Sequence, residues 1–119
     1  MLTKQFRPGP EKILLKLPGG FKEKDENAEE AIKRELLEET GYTGNFELVT
    51  TSFVDAYSDT VKYNFIAQNC HKIEGQNLDK SEHIEIIETS LQEFRQHVRS
   101  GKLTDIATGY LGLNHLKLL

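Results

Sequence analysis

The chain has a single cysteine, no tryptophan, three prolines and no long apolar run, and each scarcity removes a class of protein. One thiol, Cys70, cannot cross-link the chain to itself, and with four scattered histidines it forms no paired zinc-ligand spacing. Cys70 therefore reads as a small apolar residue at a strand end. The longest aliphatic runs, such as Ile13-Leu14-Leu15, are three residues, against the roughly 20 that a bilayer crossing takes. No apolar stretch follows Met1-Leu2-Thr3-Lys4, so neither a membrane span nor a secretory leader is expected, and a cytoplasmic location is. The prolines (Pro8, Pro10, Pro18) all lie near the start as turn punctuation, and no repeat, linker or low-complexity tract interrupts the chain. A single domain over residues 1–119 is the expectation.

What is present is an ordinary globular composition, 37% hydrophobic and 29% charged, in a length that supports one core and not two. The net charge of −4 argues against a nucleic-acid partner, which calls for a clustered basic face. That charge is unevenly spread. Between Glu23 and Glu39 eight acidic residues face only Lys24, Lys33 and Arg34, so nearly all the excess negative charge sits in one short segment.

Leu2 to Phe6 and Ile13 to Leu17 read as short strands around Pro8-Gly9-Pro10, the second ended by Pro18-Gly19-Gly20. Asn27 with Glu30 forms a capping box and Gly41 a stop, which predicts a helix from about Ala28 to Thr40. Phe46 to Val54 and Val61 to Ala67 are β-rich, the latter alternating through Val61, Tyr63, Phe65 and Ala67. Ile84 to Glu88 is a further strand. Ser90 and Glu93 then open a helix with Leu91, Phe94 and Val98 on one stripe, closed by Gly101. Thr104 or Asp105 caps a last helix whose apolar side is Ile106, Tyr110, Leu113 and Leu116, weakened by Gly109 and Gly112. Strands interspersed with helices predict an α/β (α+β) fold, a mixed sheet with helices on its faces.

The first helix is acidic on the wrong side. With Glu35 at zero, Ala28, Ala31 and Ile32 fall within about 60° of it, as do Glu38 and Glu39. The carboxylates thus continue the stripe that should dock on the sheet. Glu29 with Lys33, and Glu30 with Arg34, are ordinary i,i+4 pairs of a solvated face, but Glu35 and Glu39 are like charges at that same spacing. Three inward carboxylates repel one another and lose hydration, so they call for a compensating cation. Carboxylate oxygens suit a hard divalent ion, Mg²⁺ or Mn²⁺, which characteristically leaves positions for water and phosphate oxygens.

Gly20, Glu26, Arg34, Glu35, Leu36, Glu38, Glu39, Gly41 and Tyr42 reproduce the spacing G-x5-E-x7-R-E-U-x-E-E-x-G-U, where U is a bulky aliphatic. The segment resembles the Nudix box. Its seven fixed Gly, Glu and Arg positions would coincide by chance on the order of once in a million chains of this length. Tyr42 at the final aliphatic position is the one departure. Beyond the box, Gln5-Phe6-Arg7-Pro8, Ile84 to Glu88 and Gly101 to Asp105 are similar to Nudix enzymes that cleave ADP-ribose and other nucleoside diphosphate sugars, although the proline those enzymes usually carry downstream of the box is missing from Val54 to Asp59.

The resemblance implies a pyrophosphohydrolase with a Nudix-like mixed sheet between helices and a small nucleoside diphosphate as substrate. It implies that Glu35, Glu38 and Glu39, with the backbone carbonyl of Gly19, hold Mg²⁺ or Mn²⁺. Arg34 would orient these glutamates with Glu26 as its partner, a surface pair with Glu30 being the alternative. Glu82, or else Glu85, is the candidate general base. Gly20 would let backbone approach the substrate, Arg7 would meet the diphosphate, and Phe6 or Tyr57 would stack on a base. The family's fold generally has more strand material ahead of the box than the nineteen residues before Gly20, which implies a trimmed edge or a strand from a partner chain and favours a homodimer. A binding module that recognises a nucleotide sugar without cleaving it is the rival reading, against which the intact glutamates argue. Nudix enzymes acting on oxidised nucleoside triphosphates or dinucleoside polyphosphates are the other alternative.

Overall fold

The computed structural model describes residues 1–7, 12–17, 26–79 and 83–119, the first two strands through their backbones. Among these the elements run β1 (Leu2–Arg7), β2 (Lys12–Lys16), α1 (Ala28–Thr40), β3 (Tyr42–Phe53), β4 (Val61–Lys72), β5 (Glu85–Ile87), α2 (Leu91–Arg99) and α3 (Ile106–His115). The strands form two sheets, one ordered β2-β1-β5 and one a long β3-β4 ribbon, and every described pairing is antiparallel. Helices packed on β-structure are the expected combination. No described helix is long and apolar enough to cross a membrane.

The first helix forms as its sequence dictates. Asn27 is extended (φ −82°, ψ 171°), its side-chain oxygen accepts from the Glu30 amide at 2.8 Å, and Glu30 accepts in return from the Asn27 amide at 3.2 Å. Gly41 ends the helix in the left-handed region at φ 79°, its N–H donating to the Leu37 carbonyl at 2.8 Å. A side chain is excluded there twice over, because a Cβ at Gly41 would lie 2.0 Å from the Glu74 carbonyl oxygen.

Both ribbon strands are longer than their β-rich cores, because Tyr42 to Asn45 pairs with Gln68 to Lys72 past a register shift between Thr43 and Asn45. The buried face of β4 is the opposite of the expected one. Asn64 (1% exposed) and Ile66 are buried, whereas Val61, Tyr63 and Ala67 are exposed. The reason is α3: Thr108 donates to Asn64 Oδ1 at 2.5 Å, and Asn64 Nδ2 donates to the Thr50 carbonyl and Ser52 Oγ, so a fully satisfied polar group sits where alternation alone places an apolar one.

The last helix buries Leu113 of its expected stripe together with Gly109, which the stripe does not include, while Ile106, Tyr110 and Leu116 are exposed. A Cβ on Gly109 would meet Leu103 Cδ2 at 2.9 Å and Val98 Cγ2 at 3.2 Å, so the glycine that weakens the helix also lets it close on α2. Asp105 is the N-cap residue but makes no side-chain cap bond; its carboxylate pairs with Lys62 Nζ at 3.0 Å, pinning the helix start to β4. Val98, Leu103 and Leu113 form the core cluster, with Leu17, Ile87, Phe94 and Leu118 packed around it.

Candidate functional site

The site is built on the last three turns of α1. Its apolar side, Ala31 and Leu36, is buried, and Glu39 lies on the buried side with them at 5% exposed. Arg34 organises the remaining acids. Its Nε and Nη2 meet the two oxygens of Glu26 at 3.1 and 2.7 Å, and its Nη1 reaches Glu35 at 2.8 Å and Glu38 at 3.3 Å. One planar guanidinium thus faces three carboxylates, using the two-pronged geometry that lysine lacks. Glu26 is held as the box spacing leads one to expect, and the Glu30 carboxylate serves the helix cap.

The turn that carries Glu38 and Glu39 is closed from outside the helix. Ile73 N and Glu74 N both donate to the Gly41 carbonyl, Asn77 N donates to the Glu38 carbonyl at 2.8 Å, and Gln76 Nε2 donates to the Glu39 carbonyl at 2.7 Å. A second bond from Gln76 Nε2 reaches the Ile84 carbonyl at 2.9 Å, which joins the helix end to the approach of β5. Thr40, fully buried, donates to the Leu36 carbonyl and accepts from Tyr42 N. These contacts of Gln76 and Asn77 carry no signal in the sequence, since a cap supplied from the far side of a hairpin has no fixed spacing.

The donor chemistry fits a hard divalent cation: oxygen ligands only, one of them buried, with acidic neighbours. Among the described residues no three His, Cys, Asp or Glu side chains already converge on one point, and Glu35 and Glu38 are turned to Arg34 instead. Gly19, Gly20 and Glu82 lie outside the described residues. Phe6 and Arg7 fall at the end of β1, which pairs with β5 in the register Lys4 to Glu85, so the second candidate base stands on the neighbouring strand. Tyr57 is not brought to the glutamates. It is 97% exposed in the β3–β4 turn, where Asp55 accepts from the Tyr57 and Ser58 amides, at the opposite end of the ribbon from the α1–β3 junction.

A cleft of about 540 Å³ opens elsewhere, between β4 and the three helices, lined by Leu36, Phe65, Ile66, Phe94 and Leu113 among others. Its walls are mostly apolar, with Lys62 and Asp105 at the edge already paired to each other, and include none of the three glutamates, which makes it a poor seat for a diphosphate. Cys70, exposed in the fold, borders it, and partial burial pushes the Cys70 thiol up from its ordinary value.

A family model described as the NUDIX domain matches residues 1–105. The chain is 32% identical to the ADP-ribose pyrophosphatase of Bacillus subtilis (strain 168) over 121 residues, a match that covers 99% of this chain and 65% of that protein. It is 31% identical to the methanol dehydrogenase activator of Bacillus methanolicus over 120 residues, covering 95% of this chain and 65% of the relative. A shorter stretch of 44 residues is 52% identical to the ADP-sugar pyrophosphatase of Mus musculus, covering 37% of this chain and 20% of the mouse protein. The chain therefore spans just under two thirds of the first two relatives. With the family match running through the acidic helix and most of the rest of the sequence, the chain belongs to the NUDIX domain family.

Proposed function

We propose that this protein is a divalent-cation-dependent pyrophosphohydrolase that cleaves the diphosphate of a nucleoside diphosphate linked to a second group, with ADP-ribose or a related nucleotide sugar as substrate. The observation that carries this reading is the placement of Glu35, Glu38 and Glu39 on the closing turns of one helix, with Arg34 bridging two of them. Family membership supports it, since Nudix hydrolases generally use divalent cations. Two relatives bear the names ADP-ribose pyrophosphatase and ADP-sugar pyrophosphatase.

In this reading Glu35, Glu38 and Glu39, joined by the Gly19 carbonyl, hold Mg²⁺ or Mn²⁺. When bound, such an ion neutralises diphosphate oxygens and makes a water molecule more acidic. The protein's own groups do the rest. Arg34 keeps Glu35 and Glu38 together and is itself fixed by Glu26, so the acids are oriented before substrate arrives. Glu82, or Glu85 after it, takes the proton of the attacking water. Arg7 and Phe6 contact the substrate from β1 and Gly20 gives it room, whereas Tyr57 would have to act from the distant ribbon turn. We place the protein in the cytoplasm.

We also assign a homodimer. Leu48, Phe53, Val61 and Tyr63 stand exposed on the ribbon, apolar surface that a second copy would cover. A single-chain mass in sedimentation at every concentration would contradict this.

Incubation with Mg²⁺ and a panel of ADP-ribose, sugar nucleotides, dinucleoside polyphosphates and oxidised nucleoside triphosphates tests the activity. Chromatography should show AMP and ribose 5-phosphate from ADP-ribose. The second reading, a nucleotide-sugar binding module with a regulatory role, is favoured by the relative named as an activator of another enzyme. Tight binding of a panel member without turnover would select that reading.

A further inference from the structure

We propose that Gln76 is a positioning residue: its side-chain amide caps the last turn of α1 from across the fold and so holds the backbone from which Glu38 and Glu39 project. The proposal rests on the cation-site reading of those glutamates. The last carbonyls of a helix have no partner within it, and its C-terminus carries the negative end of the macrodipole. In α1 this end has no basic residue in its last turn, and Glu38 and Glu39 add two carboxylates to it. Left to itself, such a turn frays.

The carbonyls of this turn are claimed one by one. Leu37 O accepts from Gly41 N, Glu38 O from Asn77 N, and Glu39 O from Gln76 Nε2. The amide of Gln76 has two hydrogens, and both of its partners, the carbonyls of Glu39 and Ile84, are acceptors, so one neutral group satisfies both. Neutrality matters here. A lysine or arginine in this place would suit the helix dipole but would compete with a bound cation for Glu38 and Glu39. The bond to Ile84 extends the hold to the sheet, because the next residue, Glu85, pairs with Lys4 on β1.

The test compares the unaltered protein with Gln76→Met and Gln76→Glu, both close to glutamine in shape, at an exposed position. In Gln76→Met, amide exchange of Thr40, Gly41 and Asn77 without metal should quicken about threefold to tenfold, as expected for one net hydrogen bond. Mn²⁺ affinity read by calorimetry should weaken by a similar factor. Gln76→Glu separates positioning from charge: its extra negative charge alone would tighten Mn²⁺, whereas loss of the donor loosens it, and weaker binding is expected. Unchanged exchange in Gln76→Met, or tighter Mn²⁺ binding in Gln76→Glu, would overturn the proposal. Failure of the unaltered protein to bind Mn²⁺ would sink the cation reading instead, with the exchange rates still deciding whether Gln76 caps the helix.

Discussion

Arg34 concentrates the electrostatics of the site in one side chain. Its contacts with Glu26, Glu35 and Glu38 are short and only partly hydrated, the Arg34 and Glu26 side chains being 24% and 14% exposed. Such pairs exceed the usual surface value, so Arg34→Ala should cost about 1–3 kcal/mol of stability, with a coupling to Glu26→Gln of about 1–2 kcal/mol in a double-mutant cycle read by urea denaturation. Arg34→Lys should recover little, because a single ammonium cannot meet Glu26 with two atoms while reaching Glu35. At this scale the sequence was legible where spacing imposes geometry. Of the three glutamates that helical periodicity turns inward, Glu39 is buried while Glu35 and Glu38 turn to Arg34, and the Glu26 partner is the one the box implies. What spacing could not convey was the identity of β4's buried face, because Asn64 earns its burial from Thr108, forty-four residues away.

The elements show the same division. The start of α1 and its stop at Gly41 are local chemistry, a capping box and a left-handed glycine, and both stand where the sequence puts them. Gly41→Ala should destabilise by at least about 2 kcal/mol, from left-handed strain plus the clash with the Glu74 carbonyl, measured as a lowered thermal midpoint. The loss should fall hardest on the turn bearing Glu38 and Glu39, since Gly41 also receives Ile73 and Glu74 through its carbonyl. The last helix was legible in part, for a physical reason. Counting apolar residues finds Leu113 but overlooks Gly109 on the same side, which close approach to Val98 and Leu103 buries. Likewise the ends of β3 and β4 are set by pairing with each other across a bulge, which lies beyond what either run shows alone.

On the scale of the molecule, α1 is the hinge between its two kinds of surface. One side of the helix, through Ile32 and Leu36, borders the apolar cleft beside the ribbon and the other helices. The other gathers Arg34 and its carboxylates and is tied through Gln76 to the sheet of β1, β2 and β5. Arg34, Glu35 and Glu38 thus stand apart from the apolar side of the helix, whereas Glu39 lies buried with it. Whether these carboxylates serve cation-driven diphosphate cleavage is decided by a Mg²⁺ titration of ADP-ribose turnover in the unaltered protein and in Glu39→Gln. Saturable activation by Mg²⁺, abolition by EDTA, and a loss of at least about a hundredfold in Glu39→Gln at matched fold stability are expected. Turnover that ignores EDTA, or that survives Glu39→Gln undiminished, would contradict it.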